Sequence, residues 1–345
     1  MEFSKTTRDV ARVMPITNRK LKLTPDLSSN REWCAIAAMI YSHSLPSEVL
    51  SKIHEFVAEI KWPYKEAQLK LSEILENCDK FPLCVGYYRA LMRLIQKDLD
   101  DQSAEVTDTI MERVIEAYST PNPVGDQPDM GYYSYLLPRK YPIEESSSSS
   151  SSSSSLVVPI RVLRGHNLVG LRPWEAGLML AEICLVCSPT FFKGRRVVEL
   201  GSGIGMTGLC FARGLSNANR PSALVMTDFD DEVLENLQHN VDINFPPESE
   251  TESELIDDNS FRDNVSTDFV DWRAIQEASD LPDSMSPADI TLVADCTYSE
   301  DIIDHLLRTI TIILQCSKKQ TQTTSTSIDI DIDADAEASN EIVKK

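Results

Sequence analysis

The chain has 345 residues, 42% of them hydrophobic, and a formal net charge of -21. That is enough apolar material for one large or two ordinary domains. The acidic balance excludes a nucleic-acid backbone as the expected partner, because phosphate binding needs clustered Lys and Arg. The longest apolar runs fall short of the ~18–20 residues of a membrane span. The eight cysteines are scattered along the chain without a secretory leader before them, so reduced thiols in a cytoplasmic protein are expected.

In chain order, the start is basic, with Lys5, Arg8, Arg12, Arg19, Lys20 and Lys22 against Glu2 and Asp9. A disordered basic tail is preferred to a mitochondrial presequence, whose amphipathic pattern is imperfect here. Residues 1–45 are left unassigned. From Pro46, the spacing of Val49, Leu50, Ile53, Phe56, Val57 and Ile60 predicts a helix. Further helices are predicted over Glu66–Glu76, Arg89–Leu99 and Ser103–Tyr118, so residues 46–130 read as an all-α N-terminal region. The Pro- and Gly-rich stretch Pro121–Pro128 ends it. Residues 131–160 read as a connector around ten serines, Ser146–Ser155, which have no side chains to build a core.

Over residues 161–316 strands alternate with helices, the pattern of a parallel α/β sheet. A helix follows Pro173. Strands are predicted at Val197–Leu200, Ala223–Thr227, Val265–Phe269 and Ile290–Ala294, with helices over Met206–Arg213, from Asp230 and from Ser299. The acid-rich Glu248–Glu254 reads as a solvated loop, and 317–345 as a disordered acidic tail. Within that tail Asp329–Asp333 resembles half a calcium loop but lacks its Gly and Glu, so no metal is expected. Cys184 and Cys187 have C-x-x-C spacing without a second pair, and a packed helix face is the better reading. The five histidines form no ligand motif.

Glu199-Leu-Gly-Ser-Gly-Ile-Gly205 stands where a strand turns into a helix. Gly201, Gly203 and Gly205 allow a tight turn and a close ligand approach. Gly203 to Gly208 also satisfies G-x-G-x-x-G, with Asp228 twenty residues on, so a nicotinamide dinucleotide is the rival ligand. Three features favour S-adenosylmethionine: Glu199 two residues before the first glycine, Asp228 at the end of the second strand, and Ala294-Asp-Cys-Thr-Tyr298 at the end of the fourth. The last sets a carboxylate and a phenol at the edge of the sheet where ligands bind.

Together with Ser134–Pro138, Gly170–Glu182, Val197–Leu209 and Asp271-Trp272, these pieces resemble the seven-β-strand protein-lysine methyltransferases, and among them the elongation factor 2 lysine methyltransferase family. The resemblance implies a Rossmann-like class I methyltransferase sheet and S-adenosylmethionine as cofactor. It places Trp174, Gly201, Ser202, Gly203, Asp271, Trp272 and Ala294 at the cofactor beside Glu199, Gly205 and Asp228, and Asp295 and Tyr298 in the D-x-x-Y segment at the substrate lysine. It implies a monomer acting on a protein, elongation factor 2. The alternatives are another protein substrate, such as a chaperone or calmodulin, or a catalytically silent scaffold. Keeping a lysine of pKa ~10.4 neutral at pH 7 costs about 4.6 kcal/mol, and holding amine and methyl in line can contribute ~7–11 kcal/mol. Positioning should therefore dominate over a strong base.

A seven-stranded sheet would continue with three more strands, yet from Ser317 only Ile328–Ile332 alternates as a strand does. The expectation is a sheet truncated after its fourth core strand, with that strand at an open edge, poor stability and weak or absent activity.

Overall fold

The computed structural model describes residues 20–21, 31–124, 127–137, 154–165, 167–187, 190–246 and 261–317. The basic start (apart from Lys20), most of the serine run, the acid-rich loop and the calcium-like stretch lie outside the described residues.

The N-terminal region is helical, and it begins earlier than its sequence pattern suggests. Helix α1 spans Arg31–Tyr41, within the stretch left unassigned. Its residues from Trp33 to Ala38 and Ile40–Tyr41 are all buried. A helix covered on every side has no polar face, so it leaves no amphipathic period to detect. Next come α2, Pro46–Glu55, and α3, Val57–Ile60, where one helix is predicted. Helix α4 is Lys65–Glu76 and α5 is Val85–Asp101. The last of the group, α6, is Asp108–Ser119 and starts five residues later than predicted. Ser103 is left-handed (φ 52°) just past the end of α5. Thr107 then caps α6, its hydroxyl accepting from the Ile110 N–H at 3.4 Å.

The expected connector is instead a sheet. A short β1, Lys20–Leu21, lies parallel to the start of β3, Ser154–Arg164. Strand β2, Asp129–Leu137, pairs antiparallel with β3 from Asp129↔Arg164 to Leu137↔Leu156. The last two serines of the run thus open a strand. Composition hid this: a polyserine tract has no strand pattern, and its flanks alternate only weakly.

The second sheet is parallel, in the order β6-β5-β4-β7, from β4 Arg196–Leu200, β5 Ala223–Asp228, β6 Val265–Phe269 and β7 Ile290–Val293. Helices α7 Glu175–Cys187, α8 Met206–Gly214, α9 Asp231–Asn244 and α10 (300–317) connect and cover the strands. Successive side chains alternate between the faces. Val197, Leu224 and Met226 join the larger core, which is continuous with the N-terminal helices. Val198, Leu200 and Val225 meet Leu306, Ile312 and Ile313 of α10 on the other face. This is the Rossmann-like arrangement, and its order reverses between β4 and β7, where such sheets bind ligands at their carboxyl ends. Among the described residues β7 lies at the sheet edge.

Three buried asparagines on α9 dock β3 against the parallel sheet. The Arg161 N–H donates to Asn240 Oδ1 at 2.7 Å, and Asn240 Nδ2 donates to the carbonyls of Arg161 (3.2 Å) and Ile204 (3.0 Å). One turn to either side, Asn236 Nδ2 donates to the Arg161 carbonyl and Asn244 Nδ2 to the Pro159 carbonyl. Spacing by four puts the three amides on one helix face. Removing one strands its backbone partners in the interior. Asn240→Ala is expected to lower stability by about 2 kcal/mol. Urea unfolding of the variant checks this, and an unchanged midpoint would contradict the role of the amides.

Candidate active site

The carboxyl ends of β4, β5 and β7 bring the glycine turn, Asp228 and the Ala294–Tyr298 segment to one side of the sheet. Gly201, Gly203 and Gly205 have φ of 65°, 55° and 78°, left-handed values that a side chain would strain. The three are crowded by different things. A Cβ on Gly201 would stand 2.7 Å from Cys296 Sγ and 3.3 Å from the Trp272 ring. One on Gly203 would stand 3.0 Å from the Gly170 carbonyl oxygen, and one on Gly205 2.5 Å from Leu237 Cδ1. Gly205 therefore serves packing of α8 on α9. Gly208, the last glycine of the dinucleotide-like pattern, lies inside α8, tight against Met226 and Glu199.

Asp228 ends β5 and is 8% exposed. Its Oδ2 accepts from the Gly203 N–H at 3.0 Å and its Oδ1 from the Phe229 N–H at 2.8 Å. The carboxylate thereby ties the end of β5 to the turn after β4. Burial raises its pKa, and the bonds from Gly203, Phe229 and Asp230 oppose that rise. A third bond, from the Asp230 N–H to Oδ1, is longer at 3.4 Å. With about four lone-pair sites, a carboxylate accepting three bonds still has acceptor capacity for a ribose hydroxyl. A cradle without side chains, floored by a carboxylate that still has free acceptor sites, fits the ribose end of S-adenosylmethionine. It fits a dinucleotide's ribose equally, so the geometry of the turn does not separate the two ligands.

Glu199 sits beneath the turn, 3% exposed, its Oε2 accepting from the Gly208 N–H at 3.1 Å. Burial pushes its carboxyl up to about 7 against the hydrogen bonds that lower it. Ser202 is committed to the scaffold. Its N–H donates to the Thr227 carbonyl (2.8 Å) and its carbonyl accepts from Gly205 (2.8 Å). Its hydroxyl accepts from the Thr227 N–H (3.1 Å) and donates to the Glu199 carbonyl (3.2 Å). The hydrogen bonds of these two residues build the turn from inside.

The rim holds the other expected residues. Trp174 is 48% exposed and donates from Nε1 to the Val169 carbonyl at 2.9 Å, which anchors the ring just before α7. Trp272 is half-buried against the second core and reaches Gly201. Asp271 accepts from the N–H (3.0 Å) and Nε (2.9 Å) of Arg273, whose guanidinium holds its carboxyl below the usual range. That guanidinium also lies over the Phe229 ring, 5.8 Å from its centroid. Arg273 and Phe229 were not singled out from the sequence, although each adjoins a residue that was. Ala294 follows β7 directly, and after it come Asp295, exposed and left-handed (φ 54°), and Tyr298, 70% exposed. Both substrate-side candidates thus stand open to a large partner. Asp is among the few residues other than Gly that tolerate such a φ. Cys184 is buried in α7, and no group of metal-ligating side chains occurs among the described residues.

Comparison with known proteins separates the two ligands. The lysine methyltransferase family profile matches residues 162–332. Protein-lysine N-methyltransferase EEF2KMT of Mus musculus is 30% identical over 272 residues, covering 75% of this chain and 72% of the mouse protein. The Homo sapiens EEF2KMT is 28% identical over 273 residues, 75% of this chain and 74% of its own length. Calmodulin-lysine N-methyltransferase of Arabidopsis thaliana is 28% identical over 145 residues, 42% and 41% of the two chains. The methyl-donor reading of the turn follows from this family. The chain belongs to the S-adenosylmethionine-dependent protein-lysine methyltransferases, in the family that includes EEF2KMT.

Proposed function

We propose that the chain methylates a lysine of elongation factor 2, acting as a cytoplasmic monomer. The observation that carries the substrate is the similarity to EEF2KMT over 75% of this chain. The similarity to the calmodulin enzyme covers only 42%. The longer stretch shared with EEF2KMT favours the same protein partner.

S-adenosylmethionine, when bound, supplies an electrophilic methyl group on a sulfonium. Asp228 is assigned to the ribose hydroxyls, and Gly201, Gly203, Trp174, Asp271, Trp272 and Ala294 to the walls around the cofactor. Asp295 and Tyr298 orient the lysine amine, and Asp295 draws its proton so that a neutral lone pair faces the methyl. The aromatic ring of Tyr298 also suits the lysine while it is still a cation. In-line holding supplies most of the acceleration, so neither residue has to be a strong base.

This division separates two variants. Asp295→Ala should lower kcat about 100-fold and leave affinity for S-adenosylhomocysteine within about twofold. Trp174→Ala should weaken that affinity about tenfold, some 1.4 kcal/mol, with a smaller effect on kcat. Steady-state rates and calorimetry read both, and an unchanged rate for Asp295→Ala would remove its role. The substrate is tested by incubating the protein and labelled S-adenosylmethionine with lysate from cells lacking it. A labelled band at the size of elongation factor 2, lost when that factor is depleted, supports the proposal; a band at the size of calmodulin alone rejects it.

A further inference from the structure

Cys296 belongs to the Asp295–Tyr298 segment but, unlike its neighbours, it faces inward and is 5% exposed. Its Sγ lies 3.1 Å from the Ala294 carbonyl oxygen and 3.5 Å from that of Leu200, so its one S–H proton is shared between β7's end and β4's end. The same sulfur fills the space where Gly201 would carry a Cβ, 2.7 Å away, beside the Trp272 ring. One side chain therefore touches the glycine turn, the last residue of β4 and the loop that carries Asp295. Burial pushes the thiol up to about 12, so it keeps its proton and remains a donor. The residue before it, Asp295, has the left-handed backbone (φ 54°) that persists only where the surroundings hold it.

We infer that Cys296 is the positioning residue that fixes Asp295 and Tyr298 against the glycine turn, so that the lysine-facing loop and the cofactor-facing turn move as one piece. The inference rests on the assignment of those two segments to lysine and cofactor. Its physical core, the coupling of loop to turn, is a property of the free protein. Simple core filling would act differently: loss of the sulfur would then loosen β4, β5 and β7 alike.

Amide hydrogen exchange of the full chain, followed by mass spectrometry, distinguishes the two. In Cys296→Ala without any ligand, exchange across residues 294–298 should rise about tenfold while peptides of β4 and β5 stay within about twofold of the unaltered protein. Cys296→Ser keeps a donor and should restore slow exchange to within about threefold. Gly201→Ala, which drives a methyl group against the same sulfur, should give the same local signature and serves if Cys296→Ala does not fold. Unchanged exchange at 294–298, or acceleration spread evenly over the sheet, overturns the inference, and so does a serine variant that behaves as alanine. S-adenosylhomocysteine is then added to the unaltered protein. Failure to bind it would sink the cofactor assignment, whereas the ligand-free exchange already decides the role of Cys296.

Discussion

Gly203→Arg should abolish binding of S-adenosylhomocysteine while leaving a folded protein. Two costs meet at this position. The backbone is left-handed at φ 55°, and a Cβ would come within 3.0 Å of the Gly170 carbonyl oxygen. Strain of this kind costs about 1–3 kcal/mol. The Gly203 N–H also donates to Asp228, so any shift of the turn misplaces the carboxylate assigned to the ribose. Gly203 stands outside the hydrophobic core, which limits the damage to the site. In a thermal melt, S-adenosylhomocysteine should raise the midpoint of the unaltered protein and leave that of Gly203→Arg where it was. A ligand-induced shift of equal size in the variant would show that the turn does not bear on the cofactor.

Glu199→Gln should stabilise the protein at pH 8 by about 3 kcal/mol and have little effect at pH 5. Burial raises the Glu199 carboxyl from 4.5 to about 7 in the folded state. A folded-state pKa above the unfolded one means that the folded protein holds the proton more tightly. Its contribution to stability is therefore complete below about pH 4.5 and is lost as pH rises through about 7. At 1.36 kcal/mol per unit the loss is about 3 kcal/mol. Glutamine keeps an oxygen to accept from the Gly208 N–H and has no charge to bury, so it stands in for the protonated acid. Denaturant unfolding at pH 5, 6, 7 and 8 should give a smaller loss of stability for the variant than for the unaltered chain. Parallel pH profiles would mean that Glu199 does not titrate in this window.

Much of the site was legible because its chemistry demands particular residues close together in sequence. A turn with φ above zero three times in five residues asks for glycine, and Gly201, Gly203 and Gly205 have that φ. The carboxylate at the end of the next strand, Asp228, was readable as a residue, but its bond from the Gly203 N–H is a contact that only the fold shows. Local order could not reveal contacts made across the fold. Glu199, read from its place two residues before the first glycine, and Ser202, placed at the cofactor by the resemblance, also make bonds to Gly208 and Thr227 that the pattern does not show. Cys296 gave no signal, since its partners Leu200 and Gly201 lie almost a hundred residues away. In the fold, the parallel strands β4 to β7 were readable as short apolar runs. Helix α1 escaped because it is buried all round, and the β2–β3 pair because polyserine separates its strands. The asparagines of α9 look like a polar surface in sequence, and only their docking onto β3 shows why they are buried.

Parallel calorimetric titrations of the unaltered chain with S-adenosylhomocysteine and with NAD test the central claim most directly. The glycine turn with Asp228, read as a methyl-donor site, predicts saturable binding of S-adenosylhomocysteine at one site per chain and no heat from NAD. Binding of NAD, with none of S-adenosylhomocysteine, would contradict it.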